Sequence, residues 1–254
     1  MKKQIHIFLT ALMFFTRIPC PKWVDHSPEI LNKSTRYFSL IGILVGCIAA
    51  FFYSIATLFF SNEIAILLSM VASVWTTGAF HEDGFADVCD GFGGGWTKEK
   101  ILLIMKDSRL GTYGTVGILF LLSTKFLALK ELPQEFIVLI LISGHSISRF
   151  TATALIFTLP YVRDTDDSKA KPAADRMTLN SFMTSAFFGV LPLVFFKNPK
   201  IFFVLIPLVI TKWWLARFFK KWIGGQTGDC AGALQQLSEV VFYLSLVGLW
   251  KYIW

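Results

Sequence analysis

The chain has 254 residues, of which 54% are hydrophobic and 16% are charged, and its formal net charge at pH 7 is +7. This composition is too apolar for an ordinary soluble domain and indicates a polytopic membrane protein. We therefore expect one all-α integral membrane domain over residues 1–254. The four cysteines form no C-x-x-C pair, which argues against a zinc site and a disulfide framework.

The apolar runs, taken in chain order, predict a transmembrane helical bundle with about seven spans, several of them near the short limit of roughly 17 residues. The predicted spans are Tyr37–Phe60, Ile64–Phe80, Thr115–Leu129, Phe136–Phe157, Ser181–Phe196, Ile201–Phe219 and Val240–Trp254. A shorter apolar run, Ile5–Ile18, precedes them. Arg17 and Pro19 make a poor cleavage site for a signal peptide, so we expect this run to be a retained short membrane helix or a re-entrant helix.

The predicted connections are strongly asymmetric in charge. Consecutive pairs of spans return the chain to one face through residues 19–36, 81–114, 158–180 and 220–239. These loops carry 13 basic residues, whereas the opposite loops carry only Lys130, Lys197 and Lys200. The positive-inside rule therefore places the loop-rich face in the cytoplasm. The net positive charge follows mainly from this topology and does not indicate nucleic-acid binding.

The segment from His81 to Gly91 places four acidic side chains within nine residues, directly after an apolar run. In a helix, Asp83, Asp87 and Asp90 would fall within an arc of roughly 60° along one stripe. Such carboxylates repel one another unless Mg²⁺ or Mn²⁺ binds them, and these ions commonly bridge to substrate phosphates. The pattern favours a metal-assisted phosphate site, with a solvated acidic helix end as the alternative.

A glycine-rich turn and several basic residues follow the acids. The predicted turn residues are Gly93, Gly94 and Gly95. Their backbone N–H groups are expected to cradle phosphate oxygens. Lys106 and Arg109 supply positive charge for the same anion. Asp107 is either a further metal ligand or a partner that orients Arg109, and a simple charged connector is the alternative for this stretch.

Ionisable residues also occur inside the predicted spans. His145 and Arg149 are spaced i, i+4, so both project from one face of a membrane helix, where such residues commonly mark a site. The alternative is an ion pair of Arg149 that only holds the bundle together. Lys125, Lys212 and Arg217 lie near predicted span ends and are expected to snorkel.

A second polar cluster lies near the carboxyl-terminal end. Asp229 stands among four glycines and could complete a metal shell. Thr227, Gln235 and Gln236 lie close to it in sequence. The alternative is an ordinary turn followed by a helix N-cap formed by Thr227 or Asp229.

These segments together resemble the cobalamin synthase family, also called adenosylcobinamide-GDP ribazoletransferase or cobalamin 5′-phosphate synthase. The resemblance rests on residues 78–114, with Gly-Phe-Gly-Gly-Gly-Trp and Met-Lys-Asp-Ser-Arg-Leu-Gly-Thr-Tyr-Gly, and on Phe-Phe-Thr-Arg-Ile-Pro at residues 14–19. It extends to residues 145, 149 and 224–236, and so spans nearly the whole chain. Departures are Phe85, Val88 and Cys89 within the acidic motif and a charge-rich stretch at residues 164–175.

The resemblance implies a Mg²⁺-requiring enzyme that joins adenosylcobinamide-GDP to α-ribazole or its 5′-phosphate, giving adenosylcobalamin or its 5′-phosphate plus GMP. It also implies a multi-pass protein of a bacterial cytoplasmic membrane, with the active site facing the cytoplasm. Homo-oligomerisation is left open.

On this interpretation the site residues divide into three sets. The expected metal ligands are Glu82, Asp83, Asp87, Asp90 and Asp229. The expected catalytic residues are His81, Asp83, Asp87, Lys106 and Arg109. The expected substrate-binding residues are Gly93, Gly94, Gly95, His145, Arg149, Thr227, Gln235 and Gln236. His81 is a candidate general base, because imidazole titrates near neutrality, and a local structural role is its alternative.

Two other functions fit parts of the pattern. Another membrane transferase acting on a diphosphate, such as a prenyl or nucleotide-linked alcohol transferase, would also place Asp residues at helical spacing around Mg²⁺. A transporter would use His145 and Arg149 as an ion relay. The polar clusters lie at the predicted cytoplasmic ends of the spans, which favours an enzyme over a transporter.

Overall fold

The computed structural model describes residues 2–24, 27–163 and 177–253. Within these residues the protein is a bundle of helices without a β-strand, and an isolated bridge joins Tyr161 to Gln226. The predicted all-α class is confirmed. The charge-rich stretch at residues 164–175 lies outside the described residues, as do Lys169, Lys171 and Arg176, three of the 13 basic residues in the predicted loops.

The helices alternate with short connections. In chain order they are α1 Lys2–Phe15, α2 Pro28–Ser34, α3 Phe38–Ala56, α4 Asn62–Thr77, α5 Phe80–Gly94, α6 Lys98–Ile104, α7 Thr112–Lys130, α8 Ile137–Thr158, α9 Leu179–Val190, α10 Leu205–Ile223 and α11 Gly228–Ile253. Short 3-10 segments adjoin several of them, at Thr35–Tyr37, Gln134–Phe136, Leu191–Phe196 and Pro199–Val204.

Six stretches of the described chain are long and apolar enough to cross a membrane. They are Pro28–Ala56, Thr112–Lys130, Gln134–Thr158, Leu179–Phe196, Pro199–Ile223 and Gly228–Tyr252. A seventh stretch passes the same test only as a pair, α4 with α5, whose axes meet at 87°. The prediction of about seven spans preceded by a shorter apolar helix, here α1, is therefore confirmed.

Two predicted connections are corrected by the structure. The last helix begins at Gly228 rather than Val240, so the predicted loop over residues 220–239 shrinks to residues 224–227. Residues 81–114, predicted as a loop, contain α5 and α6. In both places polar residues lower the local hydropathy, which is why the sequence suggested loops. The structure places these residues on helices, where their polar side chains contact one another inside the bundle.

The bend between α4 and α5 is produced by two consecutive residues in the left-handed conformation. Gly78 has φ 68° and Ala79 has φ 57°. Glycine adopts this conformation readily, whereas a side chain at this φ is strained. As a result, α5 turns away from the direction of α4 and carries the acidic motif across the end of the bundle.

Helices α8 and α11 form the centre of the bundle. In each of the two spans that contain them, 72% of the most apolar 18-residue stretch is buried. The corresponding share is 28% in the span of α7 and 22% in the span of α10. Helix α3 packs so tightly on α8 that its glycines leave no room for a side chain. A Cβ atom added at Gly42 would overlap the carbonyl oxygen of His145, and one added at Gly46 would lie 2.6 Å from Cα of Ile142. Small residues at this spacing let membrane helices approach closely.

Candidate active site

The acidic motif forms most of helix α5. The predicted stripe of carboxylates required this segment to be helical. Asp83, Asp87 and Asp90 follow one another at i, i+4 and i+7 on this helix. Asp83 is exposed, and the other two are partly buried. Asp87 lies within electrostatic range of Asp83, Asp90 and Asp229, and Arg163 is the cation that opposes them. Negative charge therefore exceeds positive charge around Asp87.

Helix α11 brings Asp229 to this cluster. The first turn of α11 packs against Gly84 of α5 so closely that an added Cβ at Gly84 would lie 3.1 Å from Cα of Asp229. The carboxylate of Asp229 forms a 2.7 Å ion pair with the guanidinium of Arg163. Arg163 also donates a 3.0 Å hydrogen bond to the carbonyl oxygen of Met105. Three remote segments of the chain therefore meet at Asp229.

Arg163 is a site residue that the sequence did not single out. The chain after α8 is held beside the start of α11 by two backbone hydrogen bonds. The N–H of Gln226 donates to the carbonyl of Pro160 (2.9 Å), and the N–H of Val162 donates to the carbonyl of Gln226 (3.0 Å). In the sequence Arg163 is one basic loop residue among many, and no local pattern marks this contact.

Asp90 joins α5 to the start of α7. Its two carboxylate oxygens accept hydrogen bonds from the N–H groups of Gly111 (2.7 Å) and Gly114 (2.8 Å). A carboxylate in this position satisfies unpaired N–H groups at a helix start and interacts favourably with the helix dipole. Asp90 therefore has a clear structural task, and its part in metal binding stays a prediction.

The predicted glycine cradle is not formed. Gly93 and Gly94 lie in the last turn of α5, and the N–H of Gly95 donates to the carbonyl of Gly91 (2.9 Å). N–H groups within a helix are already engaged in its own hydrogen bonds, so these glycines do not present free donors to a phosphate. Gly93 instead makes room for a neighbour, since an added Cβ would lie 2.6 Å from the ring of Tyr113.

Lys106 and Arg109 lie on the exposed segment between α6 and α7. Arg109 donates from Nε and Nη2 to the carboxylate of Asp107, at 3.0 and 2.6 Å. Asp107 is thus the partner of Arg109, and the hydrogen bonds from Arg109 lower the pKa of Asp107 to about 2. Lys106 follows Met105, whose carbonyl accepts the bond from Arg163. This basic segment therefore borders the Arg163–Asp229 ion pair.

A buried polar network occupies the bundle interior behind α5. At its centre, the carboxylate of Glu239 pairs with Lys125 of α7 (3.1 Å) and with Nδ1 of His145 (3.3 Å). The same carboxylate accepts hydrogen bonds from Gln235 (2.9 Å) and Tyr243 (3.2 Å). The expectation that Lys125 snorkels is wrong, because its side chain is only 4% exposed. Glu239 was missed because it lies just before the predicted start of the last span.

Gln236 connects this network to α5. Its amide Nε2 donates to Glu82 (2.8 Å), and its Oε1 accepts from Lys125 (3.0 Å). Glu82 is buried and therefore points into the bundle, whereas the next residue, Asp83, is exposed. The 100° step between successive helix residues explains the difference. The structure thus places Glu82, Gln235 and Gln236 in the buried network rather than among the carboxylates around Asp87.

His145 and Arg149 share one face of α8, as predicted, and both are buried. Arg149 donates to the carbonyl of His145 (2.9 Å), and its guanidinium lies 5.7 Å from the ring centre of Phe38. His81 stacks on the same ring at 5.5 Å and is 1% exposed. A general base must reach the proton that it removes. The position of His81 inside the bundle therefore does not support the predicted base role.

Thr227 has a local role at the start of α11. It is buried, and its hydroxyl oxygen accepts a 3.3 Å hydrogen bond from the N–H of Cys230. This is the N-cap geometry that threonine commonly provides. The structure therefore favours the capping alternative over the predicted substrate contact for Thr227.

Comparison with known proteins then identifies the family. The sequence model of the cobalamin-5-phosphate synthase family matches residues 7–247. The chain belongs to that family. The adenosylcobinamide-GDP ribazoletransferase of Shewanella frigidimarina is 47% identical to it over 97% of this chain and 96% of the relative. Those of Shewanella pealeana and Shewanella woodyi are each 45% identical over 98% of this chain and over 97% and 98% of the relatives. No solved structure is significantly similar.

For this member of the cobalamin-5-phosphate synthase family, the carboxylates around Asp87 suit a hard cation. Among the described residues, no three His, Cys, Asp or Glu side chains are grouped so that they could hold a metal ion by themselves. Mg²⁺, however, is usually bound by one or two carboxylates together with water and substrate phosphates. The all-oxygen donors of Asp83, Asp87 and Asp229, with their excess negative charge, fit that mode of binding.

Proposed function

We propose that this chain is a Mg²⁺-dependent membrane transferase that joins adenosylcobinamide-GDP to α-ribazole or its 5′-phosphate. The products are adenosylcobalamin, or its 5′-phosphate, and GMP. The observation that carries the proposal is the nearly full-length similarity to relatives named adenosylcobinamide-GDP ribazoletransferase. The carboxylates that α5 and α11 bring together support it, since carboxylates of this kind commonly hold Mg²⁺ at phosphoryl-transfer sites.

In the proposed reaction, the 3′-hydroxyl oxygen of the ribazole forms a bond to the phosphorus linked to cobinamide. The bond from that phosphorus to the bridging oxygen of the diphosphate breaks, GMP leaves with the electron pair, and the hydroxyl proton is released. Catalysis of phosphoryl transfer depends mainly on positioning and on neutralisation of charge. When bound, Mg²⁺ supplies charge neutralisation at the diphosphate oxygens.

Within this proposal, Asp83, Asp87 and Asp229 would hold the metal ion. Arg163 holds Asp229 through its 2.7 Å ion pair and links the first turn of α11 to the carbonyl of Met105. Arg109 is 87% exposed and can exchange Asp107 for a phosphate group, because its planar guanidinium binds carboxylate and phosphate in the same bidentate way.

We further propose that the site faces the cytoplasm of a bacterial cell. Helix α6, the connections next to the site and the helix turns that adjoin them contain Lys98, Lys100, Lys106, Arg109, Lys220 and Lys221. The connections at the other ends of the spans, with the helix turns that adjoin them, contain only Lys130, Lys197 and Lys200. This bias is typical of cytoplasmic loops. From the cytoplasm, charged and water-soluble substrates would reach the site without crossing the bilayer.

The deciding experiment supplies purified protein with adenosylcobinamide-GDP, α-ribazole and Mg²⁺, and separates the products by chromatography. We expect GMP and complete corrinoid in equal amounts, both lost after EDTA treatment and restored by excess Mg²⁺. No product from a folded, monodisperse sample would contradict the proposal and would direct attention to lipid diphosphate substrates.

A further inference from the structure

Two apolar grooves meet at Arg17, which belongs to a sequence segment that the proposed reaction does not use. The larger groove, of about 940 Å³, lies between α4 and α7. The smaller, of about 330 Å³, lies between α3 and α4. Arg17 and Trp75 line both grooves. The two depressions therefore flank Trp75 and converge on one cation.

The larger groove has the depth of one membrane leaflet. On α4 its lining begins at Leu67 and continues to the helix end at Thr77. At 1.5 Å per residue this length is about 15 Å, which is half of the roughly 30 Å hydrocarbon core of a bilayer. Leu67, Val71 and Leu127 are exposed along its walls. In a membrane-spanning bundle these faces meet lipid chains.

Arg17 is held at the bend between α4 and α5. Its backbone N–H donates a 2.8 Å hydrogen bond to the carbonyl of Thr76. Its side chain lies directly over Gly78, where an added Cβ would overlap Nε. Among the described residues, the guanidinium has no ion-pair partner. An uncompensated cation therefore stands at the point where both grooves open.

We propose that this face binds one anionic phospholipid, with the phosphate on Arg17 and one acyl chain in each groove. A diacyl lipid has two chains joined close to one phosphate, which matches two apolar grooves that converge on one cation. The guanidinium binds phosphate bidentately. Trp75, which is 75% exposed between the grooves, is an aromatic residue of the kind enriched at membrane interfaces. The proposal does not depend on the proposed enzymatic activity.

The test is native mass spectrometry of the full-length protein taken from vesicles of equal phosphatidylglycerol and phosphatidylcholine content. We expect the wild-type protein to retain phosphatidylglycerol in preference, and Arg17→Gln to lower this preference roughly fivefold, as expected for one basic residue near a membrane surface. Val71→Trp, which fills the larger groove, should lower the total lipid retained. Lys130→Gln removes another basic residue, which is paired with Glu63 at 3.6 Å, and should change neither quantity.

Several outcomes would overturn the proposal. They are equal retention of the two lipids by the wild-type protein, an unchanged preference in Arg17→Gln, or the same loss in Lys130→Gln. A protein dimer that Val71→Trp dissociates would assign the grooves to a second copy of the chain. Should Arg17→Gln fail to fold, unchanged lipid retention by folded Val71→Trp would be decisive against the lipid site.

Discussion

Acidic residues from a single sequence motif have three different environments in this protein. Asp87 lies among other carboxylates opposite the start of α11. Asp90 accepts hydrogen bonds from two N–H groups at the start of α7. Glu82 accepts a hydrogen bond from Gln236 inside the bundle. The chemistry of these three carboxylates is nearly the same. Their tasks differ because each points in a different direction from the axis of α5 and meets a different neighbouring helix.

Asp87→Asn removes one negative charge from the cluster at nearly constant side-chain volume. We expect product formation to fall at least roughly 100-fold, the usual scale for loss of an electrostatic catalytic contact, with no loss of thermal stability. Glu135→Gln, which alters an acid in the short connection between α7 and α8, is the matched control and should keep wild-type activity. Near-normal Mg²⁺-dependent turnover in Asp87→Asn would remove the metal role of the stripe.

Asp90→Ala should act on stability. It leaves the N–H groups of Gly111 and Gly114 without their acceptor, and the loss of a helix N-terminal acceptor costs about 1–2 kcal/mol. Denaturant unfolding in detergent measures the difference. Asp87→Ala is the control at the next turn of the same helix. Equal destabilisation by the two substitutions would contradict the special role of Asp90 at the start of α7.

At the scale of elements, the position of α5 is determined by contacts from several sides. The left-handed residues Gly78 and Ala79 set its angle to α4. Asp90 joins its carboxyl-terminal half to α7, and Glu82 joins its first turn to Gln236 of α11. A helix that starts after a sharp bend is thereby held at both ends, which is the condition for presenting carboxylates in a constant arrangement.

The ion pair of Lys125 and Glu239 gives a prediction at this scale. Glu239→Gln leaves the charge of Lys125 buried and uncompensated, which typically costs about 3–5 kcal/mol. The double variant Lys125→Met with Glu239→Gln removes both charges, so we expect most of the stability to return. Activity should stay reduced in the double variant, because Gln236 has lost the Lys125 hydrogen bond that orients its amide toward Glu82.

Thermal unfolding and turnover, measured on the same preparations, separate these effects. A double variant that is no more stable than Glu239→Gln would show that the buried charges do not act as a pair. A double variant with wild-type turnover would show that the network serves only to balance charge and does not position α5.

On the scale of the whole molecule, the carboxylates around Asp87 and the segment with Lys106 and Arg109 lie near one another, while most of the remaining surface is apolar. Large exposed side chains such as Phe51, Phe120 and Val209 cover the outer faces of the spans. Such a distribution is unfavourable in water and suits a bilayer, with the polar site at the end of the bundle.

The proposed orientation predicts a labelling pattern. Lys100→Cys lies on α6 beside the site, and Lys200→Cys lies in the connection that precedes α10. With a membrane-impermeant maleimide, we expect Lys100→Cys to react only in inverted vesicles and Lys200→Cys only in spheroplasts. Wild-type protein, with its four native cysteines, sets the background. The reverse pattern would place the site outside the cytoplasm.

The sequence by itself determined the class of protein, the family and most of the spans. Composition and apolar runs are properties of neighbouring residues, so they are sufficient to predict a helical membrane bundle. The spacing of the acids on α5 is local as well, and the prediction of a stripe at Asp83, Asp87 and Asp90 needed only helical geometry. The predicted loop at residues 220–239 was mostly wrong, because polar residues inside a bundle resemble loop residues when hydropathy is averaged. The predicted turn at residues 93–95 was wrong at Gly93 and Gly94, which belong to the last turn of α5.

Only the tertiary structure decided which of these residues meet. Arg163 reaches Asp229, and Glu239 reaches Lys125, through packing of helices that are far apart in sequence. The same packing turned His81 into the bundle and directed Asp90 toward α7. The directions of His81 and Asp90 depend on the bend at residues 78–79 and on the close approach of α5 to α11. Neither leaves a periodic signal in the sequence, because each depends on the shapes of two elements together.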